Sequence, residues 1–366
     1  MLGKLKTLAK DVLAVPAIRR TYETAQRGLL GVVGRNRVAA TVYSVPGLGT
    51  FNREQFAVLA GRRRYYASLG RGSRRTHVEL RRNVHRLEKG ILMEPRRPVF
   101  ARDYIEETVD FYSTAVTDTD SPQGIEPGEL LWAHEVLDEY FSIVDRSDAA
   151  VERARATFEA LPVPDPSDDG MRRRPYRHEE ITRSDVTYDQ LLALARQRRS
   201  VRWFEQRPVP RELIDKALLV GRESPTACNR LPYEYLVFDE PASVRRVASI
   251  PFGAGGYDHQ IPAIVVVKAR LDSYFSPRDR HAPYVDASLA TMGFLLGLET
   301  LGLASSVINW PDFEPLEAKM AKTLGLEPYE RVVCLIAVGY PRPDGMVASS
   351  QKKSLEVLRH FEPPIR

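Results

Sequence analysis

The chain has 366 residues, 43% of them hydrophobic and 28% charged, and a net charge of +5. That length can bury a sizeable core and suits two domains, and the composition is ordinary for a soluble globular protein. Two cysteines, Cys228 and Cys334, exclude a disulfide framework and a cysteine-rich zinc site, and fit a reducing, cytoplasmic setting.

In chain order, Lys4, Lys6 and Lys10 precede an apolar stretch that Asp11 and Pro16 interrupt, so no signal peptide is expected. Leu2, Leu5, Ala9, Val12 and Leu13 fall at helical spacing. They predict a short basic amphipathic helix that packs on its own domain or lies on an anionic membrane surface. Residues 62–97 hold twelve Lys or Arg against three acids, Glu79, Glu88 and Glu94, a local charge of +9. Contact with a polyanion, a membrane surface or a protein partner through this segment is therefore open. Nucleic acid fits poorly, because only Tyr65 and Tyr66 lie among the arginines.

From Thr76 to Leu92, Val78, Val84, Leu87 and Ile91 form a loose helical stripe, with Arg81, His85 and Lys89 sharing another face. Gly90 reads as a weak stop signal. Leu130 to Val144 predicts a further helix burying Leu130, Ala133, Leu137, Tyr140, Phe141 and Val144. Residues 1–160 thus read as a mainly helical region. Residues 161–185, rich in proline, acids and arginine without apolar periodicity, read as a linker.

Beyond the linker, helices over Tyr188–Arg199 and Pro210–Glu223 precede a strand over Tyr233–Asp239 and a β-branched, buried strand over Ile261–Lys268. A long apolar helix over about Val285–Leu303 holds Asp286 and Glu299 and is too short to span a bilayer, which makes it a core helix. Strands over Leu303–Ile308 and Arg331–Tyr340 follow, with a helix at Pro315–Leu324 between them, giving an α/β sandwich of a few strands and covering helices. Gly293 and Gly297 on the long helix serve tight packing within the chain or a helix-to-helix dimer contact.

The chemistry concentrates at two stretches. Arg198, Arg199 and Arg202 with the Ser200 hydroxyl can bind phosphate oxygens two at a time. The small-residue loop Ser224-Pro225-Thr226-Ala227-Cys228-Asn229 offers an amide that both donates and accepts, suited to the polar edge of a planar heterocycle. Lys352 and Lys353, after Gly339-Tyr340-Pro341, supply two more cations. No P-loop, GxGxxG, HExxH or GxSxG pattern is present; Phe252–Gly256 reads as a flexible loop, no metal site is expected, and Cys228 is taken as packing.

This ordered set resembles the nitroreductase family of flavin enzymes. The likeness runs from about Tyr188 to Leu358 through RRSVRWFEQRPVP, SPTACNRLPYEYLVF, IPAIVVV, the long helix, VGYP and QKK. The resemblance implies an α+β, three-layer fold with a central, mostly antiparallel sheet and a long dimer-interface helix, over residues 186–366. It further implies an intertwined homodimer with FMN at the interface and NADH or NADPH as electron donor. A small-molecule acceptor (a nitro compound, quinone or enone) would be reduced by a ping-pong mechanism that needs no side-chain general acid or base. By position, Arg198, Arg199, Ser200 and Arg202 match the family's first FMN-binding cluster. Pro225, Thr226, Ala227 and Asn229 match the loop beside the isoalloxazine, and Lys352 and Lys353 the closing basic pair. Where family members often carry Gln two residues after the Asn, this chain has Leu231. The first half, through RRNVHRLEKG, resembles the N-terminal extension of nitroreductase-like proteins from polysaccharide gene clusters. The alternative reading keeps the fold but makes it a non-catalytic flavin scaffold whose basic half binds a polyanion, membrane or partner.

Overall fold

The computed structural model describes residues 16–33, 37–44, 51–68, 77–117, 125–165 and 172–363. The amphipathic helix expected over Leu2–Leu13 lies outside these residues, as do Arg71, Arg74 and Arg75 of the basic segment. The first half contains α1 (Pro16–Val33), α2 (Arg37–Ser44), α3 (Asn52–Ser68), α4 (Val78–Ile91), α5 (Ile105–Thr117), α6 (Pro127–Ile143) and α7 (Ala149–Glu159). The second half runs α8 (Tyr188–Gln197), α9 (Arg211–Arg222), β1 (Tyr233–Phe238), α10 (Pro241–Ala248), β2 (Ala263–Arg270), α11 (Ala282–Thr300), β3 (Ala304–Asn309), α12 (Glu314–Leu324), β4 (Glu330–Gly339) and a single turn, α13 (Leu355–Leu358).

Helices α4 to α7 enclose a core of their own. Val84 and Leu87 of α4, Ile105 and Tyr112 of α5, and Leu137 and Tyr140 of α6 are fully buried in it, beside Phe158 of α7. The apolar stripe expected on the Leu130–Val144 helix faces this core along its whole length. One local signal sets a helix limit here. Asp148 caps α7 by accepting from the amides of Ala150 (2.9 Å) and Val151 (3.3 Å). Gly90 lies one residue before the end of α4 at Ile91, in keeping with a weak stop, and a methyl group there would run into the Phe100 ring.

The sheet has the order β1-β2-β4-β3 and is antiparallel at every pair. Successive side chains of a strand point to opposite faces, and here both faces are covered. Ile264 and Val266 of β2 with Leu335 and Ala337 of β4 pack toward α10 and α12. Ala263, Val265 and Val267 with Ile336 and Val338 pack toward α9 and α11. This double burial explains the unbroken β-branched run of β2, and it makes the fold the α+β, three-layer arrangement expected, not an α/β one. Gly325, at φ 67, ends α12 in the left-handed conformation that glycine adopts without strain.

The small residues of α11 face inward. A Cβ on Gly297 would sit 2.9 Å from the Ala217 Cα, and one on Gly293 3.0 Å from the Val220 carbonyl oxygen, both on α9. Close approach of two helices within the chain is therefore their role. What α11 leaves exposed is a different stripe, Val285, Leu289 and Met292. Among the described residues no helix is long and apolar enough to cross a membrane.

Candidate functional site

The arginine stretch leaves the end of α8, whose start is fixed by a capping box between Thr187 and Gln190. It then runs alongside the ends of two strands. The Val201 amide donates to the Ser305 carbonyl at 3.0 Å, Glu205 to Tyr340 at 2.9 Å, and Arg342 to Trp203 at 3.1 Å. Gln260 stitches the turn from inside, its Oε1 accepting from the Phe204 amide at 2.9 Å and its Nε2 donating to the Arg202 carbonyl. The backbone is thus held at several points, and the cationic heads meet only neutral groups, Arg199 Nη1 donating to the Arg198 carbonyl at 3.4 Å and Arg202 lying 6.0 Å from the Tyr257 ring centroid. Among the described residues Arg198, Arg199 and Arg202 make no ion pair with a carboxylate, and the Nε of Arg198 is buried with no partner. Most other arginines of this half, such as Arg211, Arg270 and Arg331, are paired with acids. A buried guanidinium donor left unmatched beside two unpaired cations fits a phosphate, which brings both the charge and the acceptor oxygens.

The second stretch, between α9 and β1, is a strained loop. Cys228 (φ 56), Asn229 (φ 50) and Leu231 (φ 47) are all left-handed, at a cost of order 1 kcal/mol each. Three contacts hold it from within: Asp286 Oδ2 accepts the Ala227 amide at 3.0 Å, Thr226 Oγ1 accepts the Leu231 amide at 3.2 Å, and Asn229 donates to the Thr226 carbonyl at 3.0 Å. Leu231 is therefore the closing residue of the loop. Asp286 is buried in the first turns of α11 and also accepts from the Tyr274 hydroxyl at 3.0 Å. Burial raises its carboxyl pKa, with the Ala227 amide, Tyr274 and Arg230 acting against that shift. Pro225 and Asn229 face solvent, while Thr226 and Ala227 are half-buried.

The structure does not bring the expected residues together within one chain. Gln197, next to the arginines, donates to Glu299 near the C-terminal end of α11 at 3.0 Å, whereas the loop is tied to Asp286 near its N-terminal end. The two anchors, Asp286 and Glu299, are thirteen positions apart on the helix, about 20 Å along the axis. Lys352 and Lys353 lie on an exposed tail and, among the described residues, are bonded to neither stretch. That tail also exposes Leu355, Val357, Leu358 and Phe361.

Sequence reasoning missed three contributors. Asp286 was visible only as an acid in an apolar helix. Arg230, buried with its guanidinium 4.5 Å from the Tyr274 ring centroid, and Arg81 of α4, whose Nε donates to the Asn229 carbonyl at 2.7 Å, left no local signal. Several basic residues of the 62–97 segment are engaged inside the chain. Arg62 donates to the Phe275 carbonyl at 3.0 Å, Arg82 lies over the Phe275 ring, and Arg86 over Tyr104. Among the described residues no cluster of His, Cys, Asp or Glu could hold a metal ion.

Glu79, at the start of α4, is buried beside Arg230 and Arg82, and one of its oxygens has no partner. Burial raises its pKa from 4.5 to about 7. A raised carboxyl pKa favours the folded state in its protonated form. Its contribution is complete below about pH 4.5 and is lost as the pH rises through 7. Glu79→Gln should therefore remove roughly 2 kcal/mol of the stability loss between pH 5 and 8, measured by urea unfolding across that range. Parallel curves for the two proteins would refute it.

This chain is similar to several known proteins. Residues 195–340 match the family model of the nitroreductase family. An NADH dehydrogenase of Thermus thermophilus is 26% identical over 182 residues, which cover 41% of this chain and 86% of the relative. An iodotyrosine deiodinase of Hydra vulgaris is 25% identical over 265 residues, covering 63% of this chain and 92% of that protein. Among solved structures, an FMN-dependent nitroreductase from Clostridium difficile aligns with a TM-score of 0.41 at 20% identity, over 47% of this chain and 99% of the other.

Proposed function

We propose, from the match of residues 195–340 to the nitroreductase family model, that this protein is an FMN-dependent oxidoreductase that takes electrons from NADH or NADPH and passes them to a small organic acceptor. The observation that carries the reading is the trio Arg198, Arg199 and Arg202, unpaired with any carboxylate among the described residues and including a buried donor without a partner. In this reading residues 1–160 are a helical region, 161–185 a linker and 186–366 the flavin-binding domain, in a cytoplasmic protein.

FMN, when bound, supplies the ability to accept hydride from a nicotinamide and return electrons to a second substrate, a ping-pong exchange. The chain's own residues do the rest. Arg198, Arg199, Ser200 and Arg202 hold the phosphate and ribityl, while Pro225, Thr226, Ala227 and Asn229 line the ring. Lys352 and Lys353 close over the site, and cations near the ring favour added negative charge. A nitro compound, a quinone or an enone is the acceptor class this arrangement suits.

The 20 Å between the two stretches supports a homodimer in which the arginines of one copy meet the loop of the other. The exposed stripe Val285, Leu289 and Met292 and the apolar tail are the surfaces such a partner would cover. Leu289→Glu with Met292→Glu should give a monomer that binds FMN at least tenfold more weakly, read by light scattering and flavin titration. A variant that stays dimeric and yellow counts against the arrangement. The reading as a whole is tested by adding FMN to the purified protein and mixing it with NADH and NADPH under anaerobic conditions. Bleaching of bound flavin by either nicotinamide is expected. Protein that takes up no FMN would sink the proposal, and a bound flavin that neither nicotinamide bleaches would favour a non-catalytic scaffold.

A further inference from the structure

Resting on the flavin reading above, we infer that Arg81, on helix α4 of the N-terminal half, is a positioning residue for the ring loop, acting through the Asn229 carbonyl. The loop is held on its inner side by Asp286 and by its own Thr226. Toward the N-terminal half, the contact is the 2.7 Å hydrogen bond from Arg81 Nε to the Asn229 oxygen, in the middle of the left-handed run Cys228, Asn229 and Leu231.

The donor is itself oriented by two further groups. Arg81 Nη1 is 2.9 Å from Glu129 Oε2, and the guanidinium lies 5.4 Å from the Trp132 ring centroid, both on α6. Trp132 is anchored in turn, its Nε1 donating to Glu88 of α4 at 2.9 Å. A planar guanidinium can satisfy the carboxylate with one nitrogen and the carbonyl with another in a fixed fork, which an ammonium cannot reproduce. A residue needed only to neutralise Glu129 would not require a nitrogen aimed across the interface at a strained loop. The consequence is that the helical region, through α4 and α6, is part of the flavin site.

The two cysteines provide a readout that does not depend on flavin. Cys228 sits in the loop and Cys334 in the sheet. In apoprotein treated with a maleimide, Arg81→Ala should raise the labelling rate of Cys228 about tenfold and leave Cys334 unchanged. Glu129→Gln should do so to a smaller extent, and Arg81→Lys should restore only part of the protection. In FMN-loaded protein the same variants should shift the flavin midpoint potential and change KM for the nicotinamide more than kcat, with thermal unfolding within a few degrees of wild type. Unchanged Cys228 labelling in Arg81→Ala would overturn the inference, as would equal acceleration at both cysteines, which reports general loosening. Wild-type protein that binds no FMN would fail the flavin reading instead, and the labelling comparison would still decide whether Arg81 holds the loop.

Discussion

Replacing Arg198 and Arg202 together with alanine should strip the protein of flavin while leaving its fold intact. Each guanidinium contributes charge-assisted hydrogen bonds to a phosphate worth roughly 1.5–3 kcal/mol, so losing both should weaken FMN binding by at least about a hundredfold. Removing Arg211, Arg270 or Arg331 would orphan an acid. Here no carboxylate is left behind, and the turn is kept by backbone bonds to Ser305, Tyr340 and Trp203, so the unfolding midpoint should hardly move. Flavin fluorescence titration beside thermal unfolding checks both halves. A double variant with full flavin content contradicts the phosphate role, and one that unfolds contradicts the claim that these side chains are free for a ligand.

The largest stability effect is expected at Gly297. Its α-carbon lies so close to α9 that a methyl group would stand 2.9 Å from the Ala217 Cα and 3.0 Å from its carbonyl oxygen. Backbone atoms cannot rotate aside as a side chain can, so Gly297→Val must push the two helices apart. The same seam is tight at Gly293 and at Gly221, where the neighbour is the Ala290 carbonyl at 2.8 Å, so relief at one point is resisted at the next. A loss of about 3 kcal/mol is expected, measured by urea unfolding. Gly128→Ala on α6, with nothing within 4 Å of the new methyl, should be neutral or slightly stabilising. Equal midpoints for the two variants would refute the packing argument.

Apart from α10 (Pro241–Ala248), which no expected element covered, the main elements of the second half were legible in the residues because their burial follows simple periods. The β2 run reads as a strand covered on both sides, and its neighbours reproduce the expected limits within a few residues. The two polar stretches were also legible, since guanidinium clusters and small-residue turns stand out against apolar runs. Their relation was not. Nothing in the order of residues says that Gln197 and Ala227 are tied to opposite ends of one helix, because that depends on which side of the sheet each connection crosses. The glycines of α11 left two outcomes open, and only the proximity of α9 decides between them. Arg81 shared a helix face with His85 and Lys89 in the sequence, yet its partner lies 148 positions away, a distance no local pattern reports.

Helix α11 also works as a ruler. With the arginine stretch tied near Glu299 and the small-residue loop near Asp286, the distance between the two stretches within one chain is set by a count of residues. Each residue added between those anchors would lengthen the span by about 1.5 Å and turn one end by about 100° relative to the other. An insertion that keeps the two ends in phase has to come close to a whole turn, and it then moves the arginine stretch and the loop about 5.4 Å further apart along the helix axis.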